Sequence, residues 1–104
     1  MENNELVCFE IISTVGTAKS MYLEAIQEAK KGEFEKAVSL IEEGHKVYAE
    51  GHRIHAKLIQ QEASGEKTEI HLLLLHAEDQ MMSAETVKIM AEEFIEVYKK
   101  LEVR

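Results

Sequence analysis

Apolar residues recur every three or four positions along most of the chain, a spacing that places them on one face of an α-helix. In the first segment they form a single stripe: Cys8, Ile11, Ile12, Val15, Ala18, Tyr22, Ala25, Ile26 and Ala29. We expect a first helix over about residues 4–31, beginning near Asn3 or Asn4 because asparagine is a good N-cap residue. Gly32 can adopt the left-handed conformation that ends a helix.

The second segment, about residues 34–63, carries two apolar stripes. One consists of Phe34, Val38, Ile41, His45, Tyr48, His52, His55 and Ile59. The other consists of Ala37, Leu40, Gly44, Val47, Gly51, Ile54 and Leu58. Glycine lowers helix propensity, so the presence of Gly44 and Gly51 on one face predicts a close approach by another backbone.

The third segment is a helix over about residues 69–102, preceded by the turn "ASGEKTE" with Gly65 as a helix stop and Thr68 as the expected N-cap. Its main stripe is Leu73, His76, Gln80, Ala84, Val87, Met90 or Ala91, Phe94, Val97 or Tyr98, and Leu101. A second stripe is Leu72, Leu75, Asp79, Met82, Thr86 and Ile89.

Three helices of roughly 30 residues, each about 45 Å long and joined by tight turns, predict an all-α, antiparallel up-down-up three-helix bundle. The chain has no proline and only five glycines, so nothing in it interrupts long helices. With 104 residues, we expect one domain over 1–104. The second stripe of the third helix and the glycine-spaced face of the second exceed what one bundle needs, which predicts association with further copies of the chain.

The charge balance and the cysteine content restrict the class of protein. Acidic residues outnumber basic ones 20 to 12, a formal charge of −8 that repels a phosphate backbone and argues against a nucleic-acid partner. The single cysteine, Cys8, lies among apolar neighbours and is interpreted as a packing residue in a reducing compartment. The N-terminus lacks a basic signal-peptide region, and the longest wholly apolar run, Leu72–Leu75, is too short to span a bilayer. We therefore expect a cytoplasmic protein.

The stretch "HLLLLHAEDQMM" holds the first candidate for chemistry, His76. A lone histidine on an apolar helix face is more often a structural residue than a reactive one. Here Gln80 and Ser83 follow on the same face, so the imidazole belongs to a polar patch within an apolar stripe. Because a neutral imidazole is nucleophilic near neutral pH, His76 is a candidate covalent acceptor.

Asp79 lies on the second stripe of the third helix, between Leu75 and Met82. Burial of an unpaired carboxylate at a subunit interface is costly, and symmetry would bring several copies together. A proton or a hard divalent cation such as Mg²⁺ would relieve that cost. The simpler alternative, an exposed helix aspartate, fits the apolar stripe less well.

The remaining histidines and the known catalytic motifs add little. His45, His52 and His55 share one stripe, but no Cys–His cluster or HExxH motif accompanies them, so structural roles are favoured. The sequence contains no phosphate-binding P-loop, no GxSxG nucleophile elbow and no dinucleotide fingerprint.

The segment "LLLLHAEDQMM" resembles the signature of the lactose/cellobiose (N,N′-diacetylchitobiose) type enzyme IIA of the bacterial phosphoenolpyruvate-dependent sugar phosphotransferase system, which reads close to HAQDHLM. The likeness extends through "FEIISTVGTAKS", "GEFEKA" and "AEGHRIHAKLIQQEASGE". The resemblance implies a homotrimer in which His76 accepts a phosphoryl group from the phosphocarrier HPr. His76 would pass it to a cysteine of the cognate IIB component during uptake of a β-linked disaccharide through the membrane component IIC. Asp79 would bind one divalent metal ion, Mg²⁺ being the preferred candidate, at the centre of each trimer.

The chain departs from this family pattern at three positions. Glu78 and His55 stand where the family commonly has glutamine, and Gln80 stands where it commonly has histidine. The amide of Gln80 lies on the same face as His76 and could donate a hydrogen bond to phosphoryl oxygens. The alternative hypothesis is a non-catalytic helical adaptor or metal-binding oligomer, in which His76 and Asp79 are only metal ligands.

Overall fold

The computed structural model describes residues 3–102, so the outermost two residues that we assigned to the domain at each end lie outside the described part. It consists of α1 (Asn3–Lys30), α2 (Phe34–Ala63) and α3 (Leu72–Glu102), with no strand among the described residues. The three helices form an elongated bundle of 57 × 23 × 20 Å. The predicted all-α, up-down-up three-helix bundle is confirmed.

Both predicted glycine stops are present. Gly32 has φ 82° and Gly65 has φ 99°, values that favour glycine because it lacks a Cβ. At the end of α1, the carbonyl of Glu28 accepts hydrogen bonds from the amides of Lys31 and Glu33, at 3.1 and 3.0 Å. These bonds satisfy carbonyl groups that the helix itself leaves without partners.

The start of α3 differs from the prediction. The helix begins at Leu72 rather than Glu69, and its cap is His71 rather than Thr68. The Nδ1 atom of His71 accepts a hydrogen bond from the amide of Leu74 at 3.2 Å, and the carbonyl of His71 accepts one from the amide of Leu75 at 3.1 Å. A histidine whose Nδ1 is unprotonated thus replaces the hydroxyl oxygen expected from threonine.

The central element of the bundle is α1, which packs extensively against both α2 and α3, whereas α2 and α3 make fewer contacts with each other. Its predicted stripe is confirmed: seven members are buried and two, Ile12 and Ile26, are partly buried against the core. By length and composition alone, the segment Asn4–Lys30 could also cross a membrane. Core helices of water-soluble bundles pass the same test, and the apolar stripe of α1 faces the other two helices.

The glycine-spaced face of α2 lies in the core of the bundle, so the prediction that it is surplus apolar surface was wrong. A Cβ on Gly51 would lie 2.5 Å from Oγ1 of Thr14 and 2.8 Å from Cγ1 of Val15. At Gly51 the nearest atoms belong to side chains of α1, whereas at Gly44 the backbone carbonyl oxygen of Ala18 also lies 3.4 Å from the Cβ position. The other stripe of α2 faces mostly outward, with Ile41 and Tyr48 as its buried members.

The buried face of α3 coincides only in part with the main stripe that we predicted: Ala84 and Ala91 are buried, and Leu73, Val87 and Tyr98 pack against the core. Its buried residues are Ala77, Met81, Ala84, Ala91 and Ile95. Alanine at 77, 84 and 91, seven residues apart, allows close packing against α1, and Ala84 and Ala91 belong to the predicted stripe whereas Ala77 does not. His76, Phe94 and Leu101 of that predicted stripe are exposed.

The second predicted stripe of α3 is exposed in this chain. Leu72, Leu75, Met82 and Ile89 are each more than half exposed. We call these four residues the outer face of α3. Soluble proteins seldom leave such a continuous apolar strip in water, so this face is a candidate subunit interface.

Candidate functional site

His76 is the fifth residue of α3, one helical turn after the His71 cap. Its side chain is exposed and borders an open apolar hollow that Leu72 and Leu73 also line. Its own amide lies beyond the first four, which are the ones a helix leaves without internal partners. An anion near this imidazole would therefore interact with side chains and with the nearby positive end of the helix dipole rather than with free backbone amides.

Two polar residues continue the His76 side of α3. Gln80 and Ser83 follow at four and seven residues, and both are half-buried. The amide of Gln80 is thus on the predicted face, one turn beyond the imidazole. His76 and Gln80 thus lie one helical turn apart along α3.

Asp79 lies on the outer face of α3, exposed between Leu75 and Met82. Within residues 3–102 of a single chain, no group of three or more His, Cys, Asp or Glu side chains is placed to hold a metal ion. A site built from several protein ligands around Asp79 would therefore need oxygen atoms from other chains. His76 and Asp79 occupy neighbouring but distinct sides of the helix.

His55 and Glu78 contact each other across α2 and α3, with 2.5 Å between Nε2 of His55 and Oε1 of Glu78. The imidazole is 16% exposed and the carboxylate 45%. These are two of the three positions at which the chain departs from the family pattern, and reasoning from the sequence treated them separately. One heptad further, the hydroxyl of Tyr48 donates to Oε2 of Glu85 at 3.3 Å. The shared spacing of seven residues in both helices is the sequence signal that could have paired His55 with Glu78.

Cys8 is buried at 1% exposure, which confirms its interpretation as a packing residue. Burial raises the pKa of its thiol, and the negative charges of Glu78 and Glu5 raise the pKa further. A thiol held in its protonated form is a poor nucleophile. Cys8 therefore does not compete with His76 as a covalent acceptor.

The other histidines of α2 do not form a metal site with one another. His45 and His52 are exposed, and the ring of His52 packs against Tyr48 with 6.2 Å between ring centroids. Within residues 3–102, an exposed histidine on a long helix, with Gln80 one turn away and no enclosing cleft, fits the class of helical carrier proteins that act on other proteins.

The chain belongs to the lactose/cellobiose-specific IIA family of the phosphotransferase system, because the family model described as "PTS system, Lactose/Cellobiose specific IIA subunit" matches residues 6–99. It is similar to the lichenan-specific phosphotransferase enzyme IIA component of Bacillus subtilis. The two are 43% identical over 100 residues, which cover 96% of this chain and 91% of that protein.

Two solved structures show the same fold. The cellobiose-specific enzyme IIA of Bacillus anthracis superimposes with a TM-score of 0.98 at 44% identity, covering 100% of this chain and 95% of that one. The chitobiose IIA chain in the IIA–HPr complex of Escherichia coli has a TM-score of 0.83 at 28% identity, with 98% and 99% coverage. The protein is thus a phosphoryl-transfer subunit of a sugar phosphotransferase system, a relay component rather than a complete enzyme.

Proposed function

We propose that His76 is the residue that carries the phosphoryl group. The observation that supports this role is the exposure of its imidazole on an ordered helix, in a chain whose family transfers phosphoryl groups. A ring nitrogen of the neutral imidazole attacks the phosphorus atom of the donor. A P–N bond to His76 forms as the bond from phosphorus to the donor atom breaks, and the donor leaves with that electron pair.

In the second step the group leaves His76. A thiolate of the acceptor attacks phosphorus, a P–S bond forms, and the P–N bond breaks to restore the imidazole. The Gln80 amide donates a hydrogen bond to a phosphoryl oxygen in both steps, since it lies one turn from His76 on the same side. Few fixed donors surround the group, so it is held loosely, which suits a relay.

We propose HPr as the donor, a cysteine of the cognate IIB component as the acceptor, and the membrane component IIC as an indirect partner. The similarity to a chitobiose IIA chain solved in complex with HPr supports the donor. Relatives are named for lichenan, cellobiose and lactose, which supports uptake of a β-linked disaccharide. We place the reaction in the cytoplasm.

A homotrimer would cover the outer face of α3. Each subunit exposes Leu72, Leu75, Met82 and Ile89 on one side of one helix, and three such helices around an axis would bury them against one another. This arrangement leaves His76, on a neighbouring side of α3, at the edge of the interface.

The same arrangement would gather three Asp79 carboxylates near the axis. Carboxylate oxygens are the ligands that Mg²⁺ prefers, so Asp79 fits a shared divalent cation although one chain alone supplies too few ligands. When bound, the cation would neutralise the three carboxylates and stabilise the assembly. It takes no part in the transfer at His76.

The carrier role is tested by incubating the protein with phosphoenolpyruvate, enzyme I and HPr. We expect one acid-labile phosphoryl group per chain, and we expect His76→Ala to abolish the labelling while His45→Ala retains it. Absence of labelling in the native protein would instead favour the helical adaptor.

A further inference from the structure

The carboxylate of Glu78 is an unfavourable charge close to the phosphoryl acceptor. Glu78 is two residues after His76, which in a helix places the two Cα atoms about 5.4 Å apart on nearly opposite sides. A phosphoryl group adds about one and a half to two negative charges at neutral pH. The charged groups lie farther apart than the Cα atoms, and like charges repel once they come within a Debye length, about 8–10 Å at physiological ionic strength. The repulsion therefore depends on how far the flexible Glu78 side chain is held from the group.

The surroundings of Glu78 make its position depend on a single contact. On α1, Cys8 lies close enough to Glu78 for the carboxylate to raise the pKa of its thiol, and Glu62 of α2 lines the same shallow hollow as Glu78. Among the described residues, no lysine or arginine forms an ion pair with Glu78. His55 is its one basic partner there, at 2.5 Å.

The direction of the hydrogen bond is set by chemistry. An ionised carboxylate has only acceptor atoms, so Nε2–H of His55 donates the hydrogen bond and Oε1 of Glu78 accepts it. The imidazole is 16% exposed, which fixes the donor between the two helices. The carboxylate is thereby drawn toward α2, away from the side of α3 on which His76 lies.

We propose that His55 is a positioning residue for phosphoryl transfer: by donating to Glu78 it holds that carboxylate against α2 and keeps its charge away from the phosphoryl group on His76. This inference rests on the proposed function of His76. In this chain the charge of Glu78 and the donor of His55 act as a matched pair.

The decisive measurement is kcat/KM for transfer from phosphorylated HPr, in His55→Leu and in the double variant His55→Leu/Glu78→Gln. Leucine has a side chain of similar size to histidine but lacks the Nε2–H group that donates the hydrogen bond to Glu78. We expect His55→Leu to be about tenfold slower than the native protein, and the double variant to recover to within about twofold because its charge is gone. Raising the ionic strength from about 0.05 M to about 0.5 M should narrow the deficit of His55→Leu, since salt screens exposed charges.

A purely structural role for the contact gives a different result. Both variants lack the hydrogen bond between α2 and α3, so kcat/KM would then fall to the same degree in both. Salt would not reduce the difference in kcat/KM between His55→Leu and the native protein. That outcome would overturn the proposal. His45→Leu changes an exposed histidine of α2 that lies ten residues before His55, and this matched control should transfer at the native rate.

The same assay separates this inference from the proposed function. If the native protein accepts no phosphoryl group, the role of His76 fails. If the native protein is phosphorylated on His76 and His55→Leu is as fast as His45→Leu, only the positioning role of His55 fails.

Discussion

The ring of Tyr22 lies directly on the backbone of Gly44. A Cβ added to Gly44 would be 2.7 Å from Cε1 of the ring and 3.0 Å from Cδ1. Tyr22 is fully buried, so its ring cannot move into solvent to make room. This contact sets the distance between α1 and α2 at the middle of the bundle.

Gly44→Ala should therefore destabilise the protein although alanine is the better helix former. We expect a loss of about 1–3 kcal/mol in the free energy of unfolding, the usual range for overpacking a tight core. Gly16→Ala is the matched control, because nothing lies within 4 Å of a Cβ at Gly16. That variant should gain about 0.5–1 kcal/mol from helix propensity. Urea unfolding followed by circular dichroism measures both, and stabilisation by both substitutions would contradict the contact.

A second prediction concerns the N-cap of α3, which lies about one helical turn before His76. His71→Ala removes the Nδ1 acceptor of the Leu74 amide and should cost about 0.5–1 kcal/mol. His71→Asp should instead stabilise by a few tenths of a kcal/mol or more, because aspartate caps well and complements the helix dipole. Thr68→Ala, at the cap that the sequence predicted, should change stability by less than about 0.5 kcal/mol. If Thr68→Ala lost more free energy of unfolding than His71→Ala, α3 would begin at Glu69 with Thr68 as its cap, as the sequence predicted.

Alkaline pH should unfold the bundle through two buried tyrosines. Burial raises the pKa of Tyr22 to about 12, and burial, followed by the charge of Glu85, raises that of Tyr48 to about 12. An unfolded tyrosine ionises near pH 10, so above about pH 10 the unfolded state loses protons that the folded state keeps. Stability should therefore fall between about pH 10 and about pH 12, by about 2–3 kcal/mol for each tyrosine.

Tyr22→Phe measures how much of this loss of stability at alkaline pH comes from Tyr22. Its hydroxyl has no hydrogen-bond partner in the part of the chain that the structure describes, so the substitution should cost little stability at pH 7. Between about pH 10 and about pH 12 the variant should lose about 2–3 kcal/mol less than the native protein. Equal losses in the two proteins, measured by urea unfolding at each pH, would show that Tyr22 does not contribute.

The sequence predicted the helices well because their stripes and glycine stops are local signals. The stripe of α1 was found completely, since that helix is central and its apolar residues face both neighbours. The faces of α2 and α3 were harder to assign. Both helices carry two apolar stripes, and periodicity cannot tell which stripe packs inside one chain. Small residues identify the faces that pack inside the chain: Gly44 and Gly51 on α2, and the buried alanines of α3, lie where these helices contact the rest of the bundle.

In the candidate site, too, relations within one helix could be predicted from the sequence, whereas contacts between helices could not. His76, Gln80 and Asp79 share one helix, so their relative faces follow from helical spacing alone. The pairing of His55 with Glu78 joins two helices and depends on the antiparallel register, which no local pattern fixes. The His71 cap was missed because histidine is an uncommon cap, and only its contact with the Leu74 amide identifies it.

The proposed trimer and its cation are tested by Asp79→Leu. In the trimer, three carboxylates without a cation repel one another, whereas three leucines would extend the apolar outer face of α3. We expect the native protein to bind about one Mg²⁺ or Mn²⁺ per three chains by titration calorimetry, and Asp79→Leu to bind none while light scattering still gives a trimer. A chelator should lower the thermal stability of the native protein, since a cation present at about a hundred times its Kd adds about 3 kcal/mol, but leave that of Asp79→Leu unchanged.

Glu96→Leu changes an exposed acid on another side of α3, and this variant should keep both the cation and the chelator response. A monomeric mass for the native protein would reject the trimer, and retention of the cation by Asp79→Leu would reject the ligand assignment while leaving His76 untouched.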